Sequence, residues 1–379
     1  METPFIFGRI ASGKNFTDRE QEAQHLAGNF KAGVNTILIS PRRWGKSSLV
    51  QQAAGLVTQQ DKKIKFCFID LYNVRTEQQF YQILAQEILR ASSGKWADLM
   101  DNAKKFLGRF IPNLSFNPGN QSDFTLSLDW KEVTRQPDDI LNMAEHIAKS
   151  KKIKFVFCID EFQNIKTFES PLAFQKKLRS HWQKHQNVSY CLYGSKRNMM
   201  MEVFTSSEMP FYKFGDLMFL QKIRSEDWVP FLIKRFSGSG KKVIKEKEAK
   251  LLVSLAECHP YYVQQLAQQA WLRTPKICSE EIVLSAYDGV LLQLSLLFQN
   301  VTDSLTATQV NFLNAMLKGV EQFSAKQALN DYDLGTSANV LRIKDALVNK
   351  EILDINGNQI EFLDPMYKHW LQKYYFKIL

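Results

Sequence analysis

Thr36-Ile-Leu-Ile-Ser-Pro-Arg-Arg-Trp-Gly-Lys-Ser-Ser-Leu-Val50 is an apolar run, then a tight turn, then a helix-forming stretch. That order suits a phosphate-binding loop. Small residues let successive backbone N–H groups curl around a triphosphate, a lysine reaches the β and γ phosphates, and a hydroxyl holds Mg2+. Gly45, Lys46 and Ser47 supply these three parts. The helix that follows, with Leu49, Val50, Ala53 and Ala54 on one side, points its N-terminus and the positive end of its dipole at the phosphates. Ser40 stands where the template G-x-x-x-x-G-K-[ST] has its first glycine. The competing reading is a lysine at a solvated helix start, which only a second motif at the right distance dismisses.

That second motif is Ile153-Lys-Phe-Val-Phe-Cys-Ile-Asp-Glu-Phe-Gln163, a near-continuous apolar strand ending in two carboxylates. At the C-terminal end of a parallel strand beside the loop, Asp160 holds Mg2+ through its water shell. Glu161 orients and polarises a water in line with the γ-phosphate. A helix cap or surface pair is the structural alternative; a lysine-bearing loop upstream favours the chemical reading.

A chain of 379 residues, 45% of them hydrophobic, is long for one core and predicts two or three domains. Arg9, Lys14, Asp18, Arg19 and Glu20 interrupt any signal-peptide core, and the run Val290–Phe298 is too short to span a bilayer, so no membrane partner is expected. Five dispersed cysteines without a C-x-x-C pair suit a reducing compartment, and the cytoplasm is the expected location. The 49 Lys and Arg against 39 Asp and Glu give a formal charge of +10, which favours polyanionic partners. The densest runs, Lys149-Ser-Lys-Lys-Ile-Lys154 and Gly240–Lys247, also suit a solvated strand lead-in and a solvated loop or helix face.

Along the chain, Phe16-Thr-Asp-Arg-Glu20 precedes Ala23, Leu26, Ala27 and Phe30 at helical spacing, predicting a capped amphipathic helix before the first strand. Ile64–Leu71 reads as a second strand buried on both faces, and Thr76–Arg90 as a helix. Strands alternating with amphipathic helices imply a parallel α/β sheet covered on both sides. Around Pro118-Gly-Asn120 the pattern becomes that of a hairpin insertion, at about 108–130. Val188–Ser195 is a further strand; Ser195 either senses the γ-phosphate or belongs to a strand-ending turn. Leu217–Gln221 is a candidate fifth strand. His181-Trp-Gln-Lys-His185 has zinc-helix spacing without the glutamate or a third ligand, which argues against a metal.

From Ser225 to Asn300 the strands stop and helices take over, one of them opening at Pro260. The last eighty residues show capping boxes at Thr306-Ala-Thr-Gln309 and Ser324-Ala-Lys-Gln327, a helix Ser337–Asn349, and a hairpin around Asn356-Gly357. Three helices and a hairpin spell a winged helix. Its third helix offers Asn339, Arg342 and Lys344 beside Asp345, which suits weak DNA reading or a packing and regulatory module.

On these residues almost the whole chain resembles the archaeal-type, AAA-like P-loop ATPases, relatives of the STAND signalling NTPases. The resemblance is carried by Phe16–Glu20, Pro41–Ser48, Ile159–Gln163, Tyr193-Gly-Ser195, His259-Pro-Tyr-Tyr262 and Leu363-Asp-Pro365. It implies an α/β P-loop core of strand order 5-1-4-3-2 over residues 1–222, an all-helical lid over 223–300 and a winged helix over 301–379. It further implies a loop cradle of Ser40, Pro41, Arg42, Arg43, Trp44, Gly45, Lys46, Ser47 and Ser48, with Pro260 against the adenine and Ser195 as polar sensor. Leu363 stands where related switches carry an ADP-holding histidine. The expected function is a Mg2+-dependent, slowly ATP-hydrolysing intracellular switch of AAA/STAND type, whose nucleotide state, ATP or ADP, is coupled to lid and winged-helix position. Lys46 and Glu161 are its catalytic residues, Ser47 and Asp160 its metal ligands, and Arg197 or Arg224 its arginine finger. A protein effector, DNA through the winged helix and oligomers are compatible partners. The alternative is a nucleic-acid-associated regulator in which nucleotide is structural.

Overall fold

The computed structural model describes residues 3–93, 105, 137–238, 242–356 and 359–378. The hairpin expected at about 108–130 and the tip of the C-terminal hairpin lie outside them. The chain forms two compact units, one of Arg19–Gln221, the other of Met1–Asp18 with Lys222–Leu379.

The first unit is built on five parallel strands: β1 (Thr36–Ile39), β2 (Ile64–Asp70), β3 (Lys154–Asp160), β4 (Val188–Gly194) and β5 (Asp216–Phe219). Their order is β2-β3-β4-β1-β5, the expected 5-1-4-3-2. Helices α1 (Glu20–Ala32) and α2 (Lys46–Gln60) pack together, and the 5.3 Å ring contact of Phe30 with Phe66 places α1 on one face of the sheet. On the other face α3 (Glu77–Ser92) and the helices Pro137–Lys151 and Pro171–Trp182 bury Phe80, Ile147 and Phe174 with Phe155, Phe157 and Tyr190. Alternate residues of each strand thus serve opposite layers, as the pleat requires.

Two local expectations fail here. β2 is an edge strand and not buried on both faces: Lys65 and Phe66 are half-buried and Phe68 is 37% exposed. The helix Glu20–Ala32 has no side-chain cap; Arg19 occupies the N-cap in the left-handed region, φ 69°, while Glu20 and Glu22 lie at the positive end of the dipole.

In the second unit the helices Ser225–Ser237, Glu246–Leu255, Pro260–Arg273 and Glu280–Asp303 share one continuous core with the last eighty residues, joining Trp228, Leu266 and Val290 to Phe312, Leu347 and Trp370. Residues Met1–Asp18 belong to this unit rather than to the sheet: Phe5 is 1% exposed against Phe236, and Arg235 donates to the Pro4 carbonyl. The strands do not stop at Ser225 as expected, since Val243–Ile244 and Ile277–Cys278 pair in parallel. Two-residue strands are too short to leave a periodicity. The helix Glu280–Asp303 outruns the apolar stretch read from sequence, and its 24 residues are long and apolar enough to cross a bilayer. Its Val283, Ala286, Val290, Leu291 and Phe298 pack in the core, while Leu284, Leu292, Leu296 and Leu297 are exposed.

The C-terminal helices Ala307–Leu317, Lys326–Asp331 and Ser337–Asn349 precede the antiparallel strands Leu353–Asn356 and Gln359–Phe362. Thr306 and Gln309 form the expected capping box. Ser324 does not, because the helix starts one residue later with Ala325 at the N-cap, which leaves Gln327 out of the reciprocal position.

Candidate functional site

Parallel register brings the strand ends to one edge of the first unit, with Ile39 opposite Gly194 and Ile159 opposite Leu192. Ser40, Asp160, Glu161 and Ser195 therefore emerge together. Between β1 and α2 the loop turns twice through the left-handed region, at Arg43 (φ 64°) and Gly45 (φ 92°). Ser40 is not among the positive-φ residues, so its backbone does not require the glycine of the template; it is 1% exposed. Alternating hand along a loop aims successive N–H groups inward and makes an anion-binding concavity. Gly45 is also the N-cap of α2, where a β-carbon would be strained by the backbone alone.

Lys46 is 6% exposed, and its Nζ donates to the carbonyls of Ser40 (3.1 Å) and Pro41 (3.0 Å). Its charge is thus folded inside the loop. Ser47 Oγ donates to Asp160 Oδ2 over 2.8 Å, and the Glu161 backbone N–H donates to Asp160 Oδ1, also at 2.8 Å. Burial raises the Asp160 carboxyl above its ordinary pKa, and those two hydrogen bonds pull against the rise. One hydroxyl and one carboxylate are hard oxygen donors that fit Mg2+, an ion that keeps several waters and shares itself with phosphates. Among the described residues no three His, Cys, Asp or Glu side chains form a metal cluster.

Glu161 sits in the left-handed region at φ 50°. Its Oε2 accepts from Ser195 Oγ at 3.0 Å and from the Gln163 amide. Ser195 Oγ in turn accepts from Arg42 Nε at 3.3 Å. One chain of contacts therefore runs from the loop through the end of β4 to the carboxylate after β3. Arg42 and Arg43 are exposed, Trp44 and Gly45 half-buried, and Pro41 and Ser48 buried.

Three residues of this site had no assigned role in the sequence. Gln163 is fully buried and orients Glu161. Gly194 makes room for it, since a β-carbon there would lie 1.9 Å from Gln163 Oε1. Arg19, 3% exposed, donates to the carbonyls of Trp44 (3.2 Å) and Gln221 (2.8 Å) and ties the loop to the last residue of the unit. The Phe16–Glu20, Ile159–Gln163 and Tyr193–Ser195 stretches, quoted for their resemblance, contain Arg19, Gln163 and Gly194 without these contacts.

Arg197 opens a helix of the same unit, Arg197–Thr205. Pro260 and Arg224 belong to the second unit. Pro260 is the first residue of its helix, and Arg224 pairs with Asp227 at 3.2 Å. His181 and His185 both contact Asn142 Oδ1, at 3.1 and 3.2 Å, and take Asp138 and the Tyr190 hydroxyl as further partners; these are packing contacts.

No protein-family model and no curated protein matches the sequence. Solved structures do match the fold. A Walker-type ATPase of Pyrococcus abyssi aligns over 98% of this chain and 100% of its own at TM-score 0.66 and 18% identity. The Aeropyrum pernix ORC2 protein, in its ADPNP–ADP complexes, aligns over 97% and 98% at TM-score 0.56 and 13% identity. The Aeropyrum pernix ORC1 protein in complex with DNA aligns over 100% of both chains at TM-score 0.50 and 12% identity. The chain thus has the P-loop ATPase fold of these archaeal proteins.

Proposed function

We propose that this chain binds Mg·ATP at the loop of the first unit and hydrolyses it slowly, as a switch whose nucleotide state sets the position of the helical lid and winged helix. What carries the reading is the meeting of Lys46 and Ser47 with Asp160, Glu161 and Ser195 at one strand edge. The loop N–H groups and Lys46 bind the phosphates, and Ser47 and Asp160 hold the metal. Mg2+ held by Ser47 and Asp160 would supply charge neutralisation on the phosphates. Glu161, released from Ser195 and Gln163, polarises the attacking water, while Ser195 and Arg42 sense the γ-phosphate. Arg197, which opens a helix of the same unit, offsets the charge that develops in the transition state.

The C-terminal helices and hairpin are read as the winged helix of such a switch. Its third helix exposes Leu341 and Arg342 beside Asp345, a mixed surface that favours a switch over a DNA reader. Leu363, whose N–H donates to the Ile352 carbonyl at 3.0 Å, supplies no imidazole for an ADP lock of the STAND kind. The deciding experiment is ATP turnover by the purified chain with and without Mg2+. Metal-dependent phosphate release that disappears in Lys46→Ala is expected, and equal turnover by that variant would sink the proposal.

A further inference from the structure

At the opposite edge of the first unit, where the strands begin, the lead-ins to β2 and β3 lie side by side. The Lys154 N–H donates to the Lys63 carbonyl over 3.0 Å, and Ile64 is in register with Lys154. With the end of the Pro137–Lys151 helix and the turn before β4, they enclose a groove of about 430 Å3 lined by Lys63, Lys149, Lys152, Lys154, Asp61 and Asn187. All four lysines are exposed, and Lys63 and Lys152 have no ion-pair partner among the described residues.

The nearby carboxylates are already engaged. Asp61 Oδ1 accepts from the Lys63 backbone N–H at 2.8 Å. Glu145, 5% exposed, accepts from the backbone of Gln186 (3.2 Å) and from the backbone (2.9 Å) and amide (3.0 Å) of Asn187, and pairs with Lys149 at 3.3 Å. Positive charge also continues past the groove. Lys154 Nζ donates to the carbonyl of exposed Lys31, and exposed Lys62 and Lys151 flank the lining residues. Helices Lys46–Gln60 and Pro137–Lys151 both end here, and a cation at each C-terminus is favoured by the dipole. Lys149 pairs with Glu145, and Lys151 and Lys154 donate to the carbonyls of Ser92 and Lys31, which leaves Lys62, Lys63 and Lys152 without a side-chain partner among the described residues.

We propose that this groove holds the phosphodiester backbone of a nucleic acid without reading its bases. Lysines are compact point charges suited to phosphate, and a row of them extending beyond the groove on both sides matches the repeated charges of a polymer better than one small anion. Among the described residues the lining has no aromatic platform on which bases would stack, hence the indifference to sequence. Among the described residues that line it there is likewise no aromatic or leucine side chain with which a protein enters a lipid surface.

The test uses the full chain and the triple variant Lys63→Ala, Lys152→Ala, Lys154→Ala, all at exposed positions outside the nucleotide site. Binding of a fluorescein-labelled oligothymidylate of about 30 nucleotides is followed by anisotropy between about 50 and 200 mM salt. The variant should bind at least about tenfold more weakly at low salt, with a log–log salt slope shallower by about 2 and unchanged ATP turnover. A control at Lys245 and Lys247, on the other basic run, should keep wild-type affinity. Wild-type affinity and slope in the triple variant overturn the proposal. So does lysine-dependent binding of inorganic tripolyphosphate, or of phosphatidylserine vesicles, by a chain that does not bind the oligonucleotide.

Discussion

Ser195 Oγ lies 3.0 Å from Glu161 Oε2 and donates to it, so the serine that follows β4 holds the carboxylate expected to activate water. The neighbouring Gln163 amide reaches the same oxygen. Under the ATPase reading these donors keep Glu161 in place. Glu161→Gln keeps the side chain's shape and loses its charge. Nucleotide affinity should stay within about threefold while turnover falls by about a hundredfold or more. Steady-state phosphate release and a nucleotide titration separate the two, and wild-type turnover would make Glu161 structural.

Lys46→Ala removes the buried ammonium that the loop encloses, whose charge-assisted bonds to phosphate are worth about 2–3 kcal/mol. Affinity for ATP should fall by about fiftyfold or more with the circular-dichroism spectrum intact. A calorimetric titration showing unchanged affinity would contradict the placement of the site.

Gly194→Ala should drive its new methyl into Gln163, since a β-carbon there meets Oε1 at 1.9 Å. Overpacking of this kind costs about 1–3 kcal/mol, and the displaced amide also releases Glu161. Thermal melting should drop by several degrees and ATP turnover should change with it. Adding Gln163→Ala to the variant should recover most of the lost Tm but not the activity; failure to recover would mean that the clash lies elsewhere.

Within the second unit, the Tyr262 hydroxyl donates to Asp364 Oδ2 over 2.6 Å, while Asp364 Oδ1 accepts from the backbone of Met366 and Tyr367. Two of the stretches that carry the family resemblance are thereby joined. Asp364→Ala loses both a helix cap and a charged hydrogen bond and should destabilise this unit by about 2–4 kcal/mol, with Tyr262→Phe losing about half as much. Replacing Arg342 and Lys344 together by Ala should leave melting and turnover unchanged. Denaturant titrations that rank these variants otherwise would remove the joint from the switch.

Acid should weaken the first unit through His185. Burial is the main cause that lowers its pKa to about 4, with the Glu145 charge acting the other way. A folded value below the unfolded one, for a base held neutral, means that stability is fully present above about pH 6.5 and is lost as pH falls towards about 4. The ring packs beside Tyr190, whose hydroxyl it contacts at 2.8 Å. Melting curves should shift downwards between those pH values, and His185→Gln should flatten the shift while lowering Tm at neutral pH. An equal shift in that variant would assign it to another group.

The sequence by itself placed the five strands of the parallel sheet, and marked the Gly45-Lys46-Ser47 loop and the Asp160-Glu161 pair as the candidate site. Buried parallel strands are short apolar runs, and a loop that must present N–H groups to phosphate has few compositions open to it. It also marked the helix Ser337–Asn349 to the residue and the capping box at Thr306, because caps are chemistry local to one turn. The tertiary structure decided what depends on distant neighbours. That Ser40 can replace a glycine follows from the backbone angles of the whole loop, and that β2 is an exposed edge follows from strand order. The fit of Gln163 against Gly194 and the ties made by Arg19 are contacts between residues from 25 to 202 positions apart, which no local pattern encodes. The lysine groove, too, exists only because adjacent parallel strands start side by side, bringing residue 63 to residue 154.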